Sequence, residues 1–161
     1  MTKYQVFLIV VFLFFFGSGG GWVLDTGFEV EDGDGSDSFT PSTDKADPDI
    51  TAMAIQALAR YRSMNVTVNG TEKNVGDAIE RGLNALSAMQ KSAGDFDSWG
   101  TTNVESTAQV LMALIAMGID PLKDDRFITA SGNTLINGIL GYHVAGSGFR
   151  HVMDGSVNAM A

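Results

Sequence analysis

Two acidic side chains in the first third of the chain, Asp47 and Asp49, are the residues best suited to proton transfer. Paired carboxyl groups can perform general acid–base catalysis, because a nearby negative charge helps to keep a proton on its neighbour. Here Ile50 follows Asp49, so no third acid adjoins the pair, and a helix start stabilises an ionised carboxylate. Asp47 and Asp49 are therefore the catalytic candidates, although helix capping explains Asp49 without any catalytic function.

The chain shows no set of side chains with the spacing of a metal site. It contains no cysteine and two histidines, His143 and His151. A catalytic metal needs about three protein ligands and an open position, and neither histidine has a recognisable third ligand. The acidic stretch at 32–37 lacks the glycine and glutamate that an EF-hand loop requires at its sixth and twelfth positions. We predict no metal site and no disulfide bond.

Aromatic side chains could line the mouth of a cavity, and the candidates are Trp22, Phe96, Trp99 and Phe149. Aromatic faces supply a large apolar contact area, which suits a flat or polyprenyl ligand. Packing of one repeat against the next is the competing explanation. The predicted ligand-binding residues combine aromatic side chains with acids at expected helix starts, and they are Trp22, Asp49, Trp99, Glu105 and Phe149.

Three segments that would position these residues have helical periodicity, at 50–61, 75–91 and 105–117. In the first and third segments apolar residues occur on every side, which predicts helices surrounded by protein. The second segment has one apolar side and one polar side that includes Glu80, so this helix should face water. A further apolar helix is expected near the end of the chain, and His143 would lie in its last part.

Residues 49–52, with the sequence DITA, recur in related form as residues 105–108, with the sequence ESTA. A long period of this kind marks a repeat architecture, and alternating buried and one-sided helices suit a ring of two layers. We therefore predict an all-α fold, a partial αα-toroid of about two and a half repeats with a Gly/Asp-rich N-terminal loop region. The next copy would begin near Ala161. The incomplete ring should therefore expose the apolar sides of Ile55 and Leu114.

Three stretches resemble the repeat motifs of one superfamily. The first comprises Arg81-Gly82 with Leu86, Gln90, Gly94 and Phe96, and the others are the glycine–aromatic tails at 19–22 and 146–149. They resemble the prenyltransferase and squalene-cyclase repeat superfamily, which adopts the terpenoid-cyclase αα-toroid and includes cobalamin carriers of the transcobalamin and intrinsic-factor type. The resemblance covers about 17–161. Phe96 takes the usual tryptophan position, and Ala85 stands where an aromatic residue is usual.

The stretch at 47–50 is similar to the Asp-x-Asp-Asp motif of class II terpene cyclases, with Ile50 in place of its last acid. The resemblance implies a fragment of a bacterial surface or secreted αα-toroid repeat protein. Its function would be non-catalytic binding of a corrinoid-like or other hydrophobic small molecule, with cobalamin as a ligand and not as a cofactor. The alternative is a fragment of a class II terpene cyclase or prenyltransferase-type enzyme whose catalytic residues lie mostly outside this chain. A structural scaffold is a third hypothesis.

Residues 1–16 form an apolar leader, and residues 17–161 form the predicted repeat domain. The uninterrupted apolar run Val6–Phe16 follows Lys3 and precedes small residues. A helix that spans a bilayer needs about 20 apolar residues, so this run predicts a signal peptide or a truncated helix and no integral membrane span. We expect a secreted or cell-surface protein, with a cytoplasmic location as the alternative.

The net charge of −9, with acids concentrated between Asp25 and Asp49, bears on the class of partner. Nucleic acids and anionic membrane surfaces would be repelled by this charge. The resemblance to the cobalamin carriers implies a small hydrophobic or corrinoid-like ligand as partner. The open repeat ends suggest binding of a second copy of the chain.

Overall fold

The structure is a computed structural model, and it describes residues 46–68 and 71–154. Helices account for about half of these residues. The α-helices are α1 (Pro48–Leu58), α2 (Val75–Met89), α3 (Val104–Met117) and α4 (Leu135–Leu140). Short 3₁₀ turns follow at Ala59–Tyr61 and Asp125–Phe127. The three helices predicted from periodicity are confirmed, with ends that differ by about two residues once the turn after α1 is included.

Three two-stranded antiparallel sheets connect or follow these helices within the described residues. Their strands are β1 (Asn65–Val68) with β2 (Thr71–Asn74), β3 (Phe96–Ser98) with β4 (Thr101–Asn103), and β5 (His143–Val144) with β6 (Gly148–Phe149). Each pair is a hairpin of consecutive strands.

The first two hairpins end in an asparagine that also begins the next helix. Asn74 closes β2 and accepts a hydrogen bond from the Asp77 N–H, at 3.1 Å, in the first turn of α2. Asn103 closes β4 and accepts one from the Ser106 N–H, at 2.8 Å, in the first turn of α3. An asparagine side chain satisfies a helix N–H that has no partner within the helix. Each hairpin therefore fixes where its helix begins.

Helices α1 and α3 lie side by side and run in the same direction. Both begin beside the β3–β4 hairpin, and the Gln56 side chain on the third turn of α1 donates to the Gln109 carbonyl of α3 at 3.3 Å. Helix α2 packs against α1 from the other side. The core between the helices is apolar and fully buried, and its largest members are Ile55, Leu58, Ile79, Leu83, Leu86, Phe96, Leu114, Phe127 and Leu135.

The prediction of an all-α fold, a partial αα-toroid of two and a half repeats, is wrong. The described residues form a mixed α/β structure with 16% strand. Segments that contain Thr and Val, such as Asn65–Val68, form strands because β-branched side chains suit a pleated surface. The dipeptides Asn69-Gly70 and Trp99-Gly100 follow strands β1 and β3 in sequence, and a glycine at that place favours a hairpin. These strands lie outside the three segments with helical periodicity and are too short to show a clear periodicity of their own.

Two details of the predicted burial are also wrong. Ile55 and Leu114 are completely buried, whereas Met53, Met112 and Ile115 on α1 and α3 are about half exposed. The two helices therefore have a solvent-facing side, because α1, α2 and α3 cover only part of one another's surface. His143 lies in strand β5 and not in a helix. No described helix combines the length and apolar character needed to cross a membrane.

Candidate functional site

Asp47 uses both of its carboxylate oxygens in contacts that hold the fold together. Oδ1 accepts a hydrogen bond from the Ile50 N–H at 3.0 Å, which caps α1. Oδ2 accepts one from the Ser98 hydroxyl at 2.7 Å, which ties strand β3 to the start of that helix. The geometry of Asp47 is that of an anchor between α1 and the β3–β4 hairpin.

Asp49 lies two residues after Asp47, in the first turn of α1. Its Oδ1 is buried and accepts no hydrogen bond from the described residues. The nearby helix N-terminus carries partial positive charge, which favours an acidic side chain at this position. The two carboxylates therefore have different surroundings. Both oxygens of Asp47 accept hydrogen bonds, whereas Asp49 Oδ1 accepts none from the described residues.

Trp99 is the most exposed large apolar side chain among the described residues, at 82%. It occupies the first position of the two-residue turn between β3 and β4, where Trp99 has φ 53° and Gly100 has φ 80°. Positive φ at both positions is typical of a type I′ turn, in which asparagine and glycine are the common residues. A tryptophan held there costs about 1–3 kcal/mol of backbone strain. Exposure combined with strain makes Trp99 the strongest functional candidate.

The base of the hairpin that carries Trp99 is firmly held. The Phe96 N–H donates to the Thr107 hydroxyl at 3.1 Å, and the Phe96 ring is fully buried. The Gly100 N–H donates to Asp97 Oδ1 at 3.1 Å, which closes the turn. Together with the Asp47 anchor, these contacts fix the direction in which the exposed indole projects. Phe96, one of the four aromatic candidates, is a core residue and cannot contact a ligand.

Glu105 pairs with His151 at the N-terminal end of α3. The His151 Nδ1 lies 2.7 Å from Glu105 Oε2, and about half of each side chain is exposed. The Val104 N–H donates to the His151 carbonyl at 3.2 Å. The segment after β6 is therefore attached to the start of α3, and strand β4 leads directly into the same helix end.

Phe149 lies in β6 and makes an edge-on contact with His143 in β5, with ring centroids 5.2 Å apart. It is partly exposed, at 38%. The following residue joins the hairpin to the core, because the Arg150 N–H donates to the Tyr142 carbonyl at 3.0 Å. Phe149 thus belongs to the hairpin whose continuation contacts the start of α3.

A buried pair, Tyr142 and Asp95, holds the residue that precedes this hairpin in the core. The Tyr142 hydroxyl donates to Asp95 Oδ2 at 2.8 Å, and both residues are buried. Burial of the phenol, followed by the hydrogen bond to Asp95 and the nearby negative charge, raises the pKa of Tyr142 well above its usual value. Tyr142 therefore stays neutral and keeps donating at any physiological pH.

The structure brings several predicted residues to one end of the molecule, near the first turns of α1 and α3. We call this region the hairpin end, and its members are Asp47, Asp49, Trp99, Glu105, Phe149 and His151. Trp22 and the leader at 1–16 lie outside the described residues, as does the acidic stretch at 32–37. Among the described residues, no group of three histidines or acids has the geometry to hold a metal ion.

Ser98 and Thr107 are residues that the sequence did not single out. Ser98 positions the hairpin on Asp47, and Thr107 accepts from Phe96 while donating to the Asn103 carbonyl at 3.0 Å. The contacts of Ser98 with Asp47 and of Thr107 with Phe96 join residues that are 51 and 11 positions apart in sequence, so no local motif indicates them. The Trp-Gly dipeptide was the one local signal, because a turn there would expose the tryptophan.

The chain was also compared with known proteins. No family model matches it, and no match was found among characterised proteins or solved structures.

Proposed function

We propose that this chain is a non-catalytic binding module that holds a corrinoid-like or other hydrophobic small molecule through Trp99 at the hairpin end. The observation that carries the proposal is an indole that is 82% exposed on a strained, firmly anchored turn. Strained residues of this kind persist where the surrounding structure imposes them, and they cluster at ligand-binding sites. Covering an exposed apolar side chain of this size with a ligand removes apolar surface from water, which favours binding.

The ligand class follows from the shape and chemistry of the indole. A planar aromatic face stacks on flat apolar or conjugated surfaces, and a corrinoid macrocycle or another hydrophobic small molecule provides one. The partly exposed Phe149 is a second candidate apolar contact, because the segment that follows it contacts the start of α3. Lack of catalysis is supported by the two hydrogen bonds that occupy Asp47. We further propose a secreted or cell-surface location, supported by the apolar run at 6–16 and the small residues after it.

The test is a calorimetric titration of the full chain with cyanocobalamin and, separately, with a prenyl alcohol. We expect heat of binding with at least one of these probes. Trp99→Leu should weaken that binding by about thirtyfold, because tryptophan anchors typically contribute 2 kcal/mol or more. The control is Leu122→Ala, which trims another exposed apolar side chain and should leave the affinity within about twofold.

Two results would contradict the proposal. One is the absence of heat with both probes. The other is binding that Trp99→Leu and Leu122→Ala weaken equally, which would indicate non-specific adsorption. Circular dichroism of both variants should match that of the parent chain, because both side chains project into solvent.

A second candidate function, that of a proton-donating enzyme, is favoured by one observation. Asp49 Oδ1 is buried and accepts no hydrogen bond from the described residues, so this acid is not fully engaged by the fold. In this candidate function Asp49 would donate a proton to an alkene, as the resemblance to class II terpene cyclases implies. Consumption of a polyprenyl substrate that stops in Asp49→Asn would favour this function over the binding module.

We also propose that isolated chains self-associate through exposed apolar side chains of α1 and α3. Met53, Met112 and Ile115 are each at least half exposed. Met112 and Ile115 are three residues apart and so lie on the same side of α3. Covering such a side removes apolar surface from water.

A further inference from the structure

A cleft of about 590 Å³ lies at the opposite end of α1 from Trp99. Its lining residues come from the end of α1, the following 3₁₀ turn, the loop turn after it and the end of α3, and they are Gln56, Ala59, Arg60, Arg62, Ser63 and Ala116. This volume is within the range of about 300–1,000 Å³ that is typical of small-molecule sites. The lining contains two guanidinium groups and no acidic side chain.

Arg60 and Arg62 form no ion pair with any carboxylate of the described residues. This is notable because the chain has 19 acidic residues and 10 lysines and arginines. Arg126, in contrast, contacts both Asp124 and Glu80. The negative end of the α1 dipole favours a positive charge nearby. That effect alone does not explain why two arginines line one cleft.

The backbone that carries these arginines is fixed. The Val75 N–H donates to the Met64 carbonyl at 2.9 Å, which joins the loop to the start of α2. The Arg62 carbonyl lies so close to Gly76 that a Cβ on Gly76 would be 2.7 Å from it. The backbone of this turn is therefore firmly held, which lowers the part of the entropic cost of binding that comes from ordering a loop.

From this arrangement we infer that the cleft is a second binding site, which takes a small organic anion carrying a carboxylate or phosphate group. Guanidinium groups bind either oxyanion through paired N–H donors. Gln56 and Ser63 add polar contacts at the wall. The Gln56 amide nitrogen donates to the Gln109 carbonyl, and its carbonyl oxygen takes no part in that bond and suits a ligand hydroxyl. This site is independent of the proposed function at Trp99.

The experiment is calorimetry of the full chain in low-salt buffer, with citrate as the carboxylate probe and inorganic phosphate as the phosphate probe. We expect binding of at least one probe, weakened about tenfold or more in the Arg60→Gln/Arg62→Gln double variant. The matched control is Lys73→Gln/Lys123→Gln, which changes the net charge equally and lies outside the cleft. The control should bind within about twofold of the parent chain.

The two probes identify the preferred oxyanion, since binding of citrate alone indicates a carboxylate ligand and binding of phosphate alone a phosphate ligand. No heat with either probe up to about 10 mM would overturn the inference. An equal loss of affinity in both double variants would also overturn it, because general charge attraction would then suffice. Trp99→Leu should retain anion binding, which separates this result from failure at the hairpin end.

Discussion

At the scale of single residues, the most informative contact is the buried hydrogen bond between Tyr142 and Asp95. It joins the loop before β3 to the segment before β5, and its partners are far apart in sequence. A buried carboxylate needs a donor, because desolvation without one costs several kcal/mol. Sequence periodicity cannot reveal such a pair, since neither residue belongs to a motif.

We predict that Tyr142→Phe lowers the free energy of unfolding by about 2 kcal/mol. The substitution keeps the ring but removes the hydroxyl that donates to Asp95, which leaves a buried carboxylate oxygen without its donor. Chemical denaturation measures the change. Tyr61→Phe is the matched control and should change stability by less than about 0.5 kcal/mol, because Tyr61 is only partly buried. Equal stability of the two variants would contradict the assigned importance of the buried pair.

The same contact predicts a pH dependence in alkaline solution. The folded state raises the pKa of Tyr142 above its ordinary value of 10.0 through burial and the hydrogen bond to Asp95. The unfolded state therefore loses the proton first, so the contribution of Tyr142 is complete below pH 10 and declines as the pH rises above it. Denaturation at several alkaline pH values should show a steeper decline for the parent chain than for Tyr142→Phe. Identical slopes would refute this link.

At the scale of elements, local signals in the sequence predicted the long helices well and the hairpins poorly. The periodicity of α2, with polar Glu80 outside and Ile79 buried, matches a helix with one wet side. Strands of two to four residues are too short to show periodicity, and Asn74 and Asn103, which link strands to helices, lie just outside the helical segments predicted from periodicity. The contacts of the candidate site depend on those hairpins. Ser98 and Thr107 were therefore beyond prediction.

One glycine decides whether the loop before β3 can pack on α4. Gly94 has φ 95°, and a Cβ there would lie 2.1 Å from the Thr134 carbonyl oxygen. We predict that Gly94→Ala lowers the free energy of unfolding by at least about 2 kcal/mol, because strain and a backbone clash act together. Gly100→Ala is the matched control, since its φ is also positive, at 80°, but no atom lies within 4 Å of its added Cβ. Thermal unfolding that ranks Gly100→Ala as the more damaging change would contradict this account.

At the scale of the whole molecule, the described helices and hairpins enclose a core around Ile55 and Leu114 while leaving one side of α1 and α3 apolar and exposed. The sequence predicted exposed apolar surface correctly in kind but assigned it to the wrong residues. Side chains that are buried and exposed alternate within a few positions on these helices. Composition alone cannot distinguish them, because the side that is covered depends on how α2 and the hairpins pack.

We expect the full chain to self-associate in a concentration-dependent manner. Met112→Gln/Ile115→Gln should raise the dissociation constant by about tenfold, because it replaces two exposed apolar side chains on one side of α3. Light scattering across a concentration series measures the effect. Lys73→Gln serves as an exposed control on a different element. A parent chain that remains monomeric at every concentration would contradict the proposed interface.

The most direct test of the binding module is the indole N–H signal of Trp99 in a ¹⁵N-labelled sample of the full chain. The sequence contains two tryptophans, so Trp22→Phe assigns the two signals. On addition of a probe that gives heat of binding, the Trp99 signal should shift progressively to saturation, because the ligand covers its exposed ring. An unchanged Trp99 signal while the probe binds would show that the ligand sits elsewhere and would contradict the central claim.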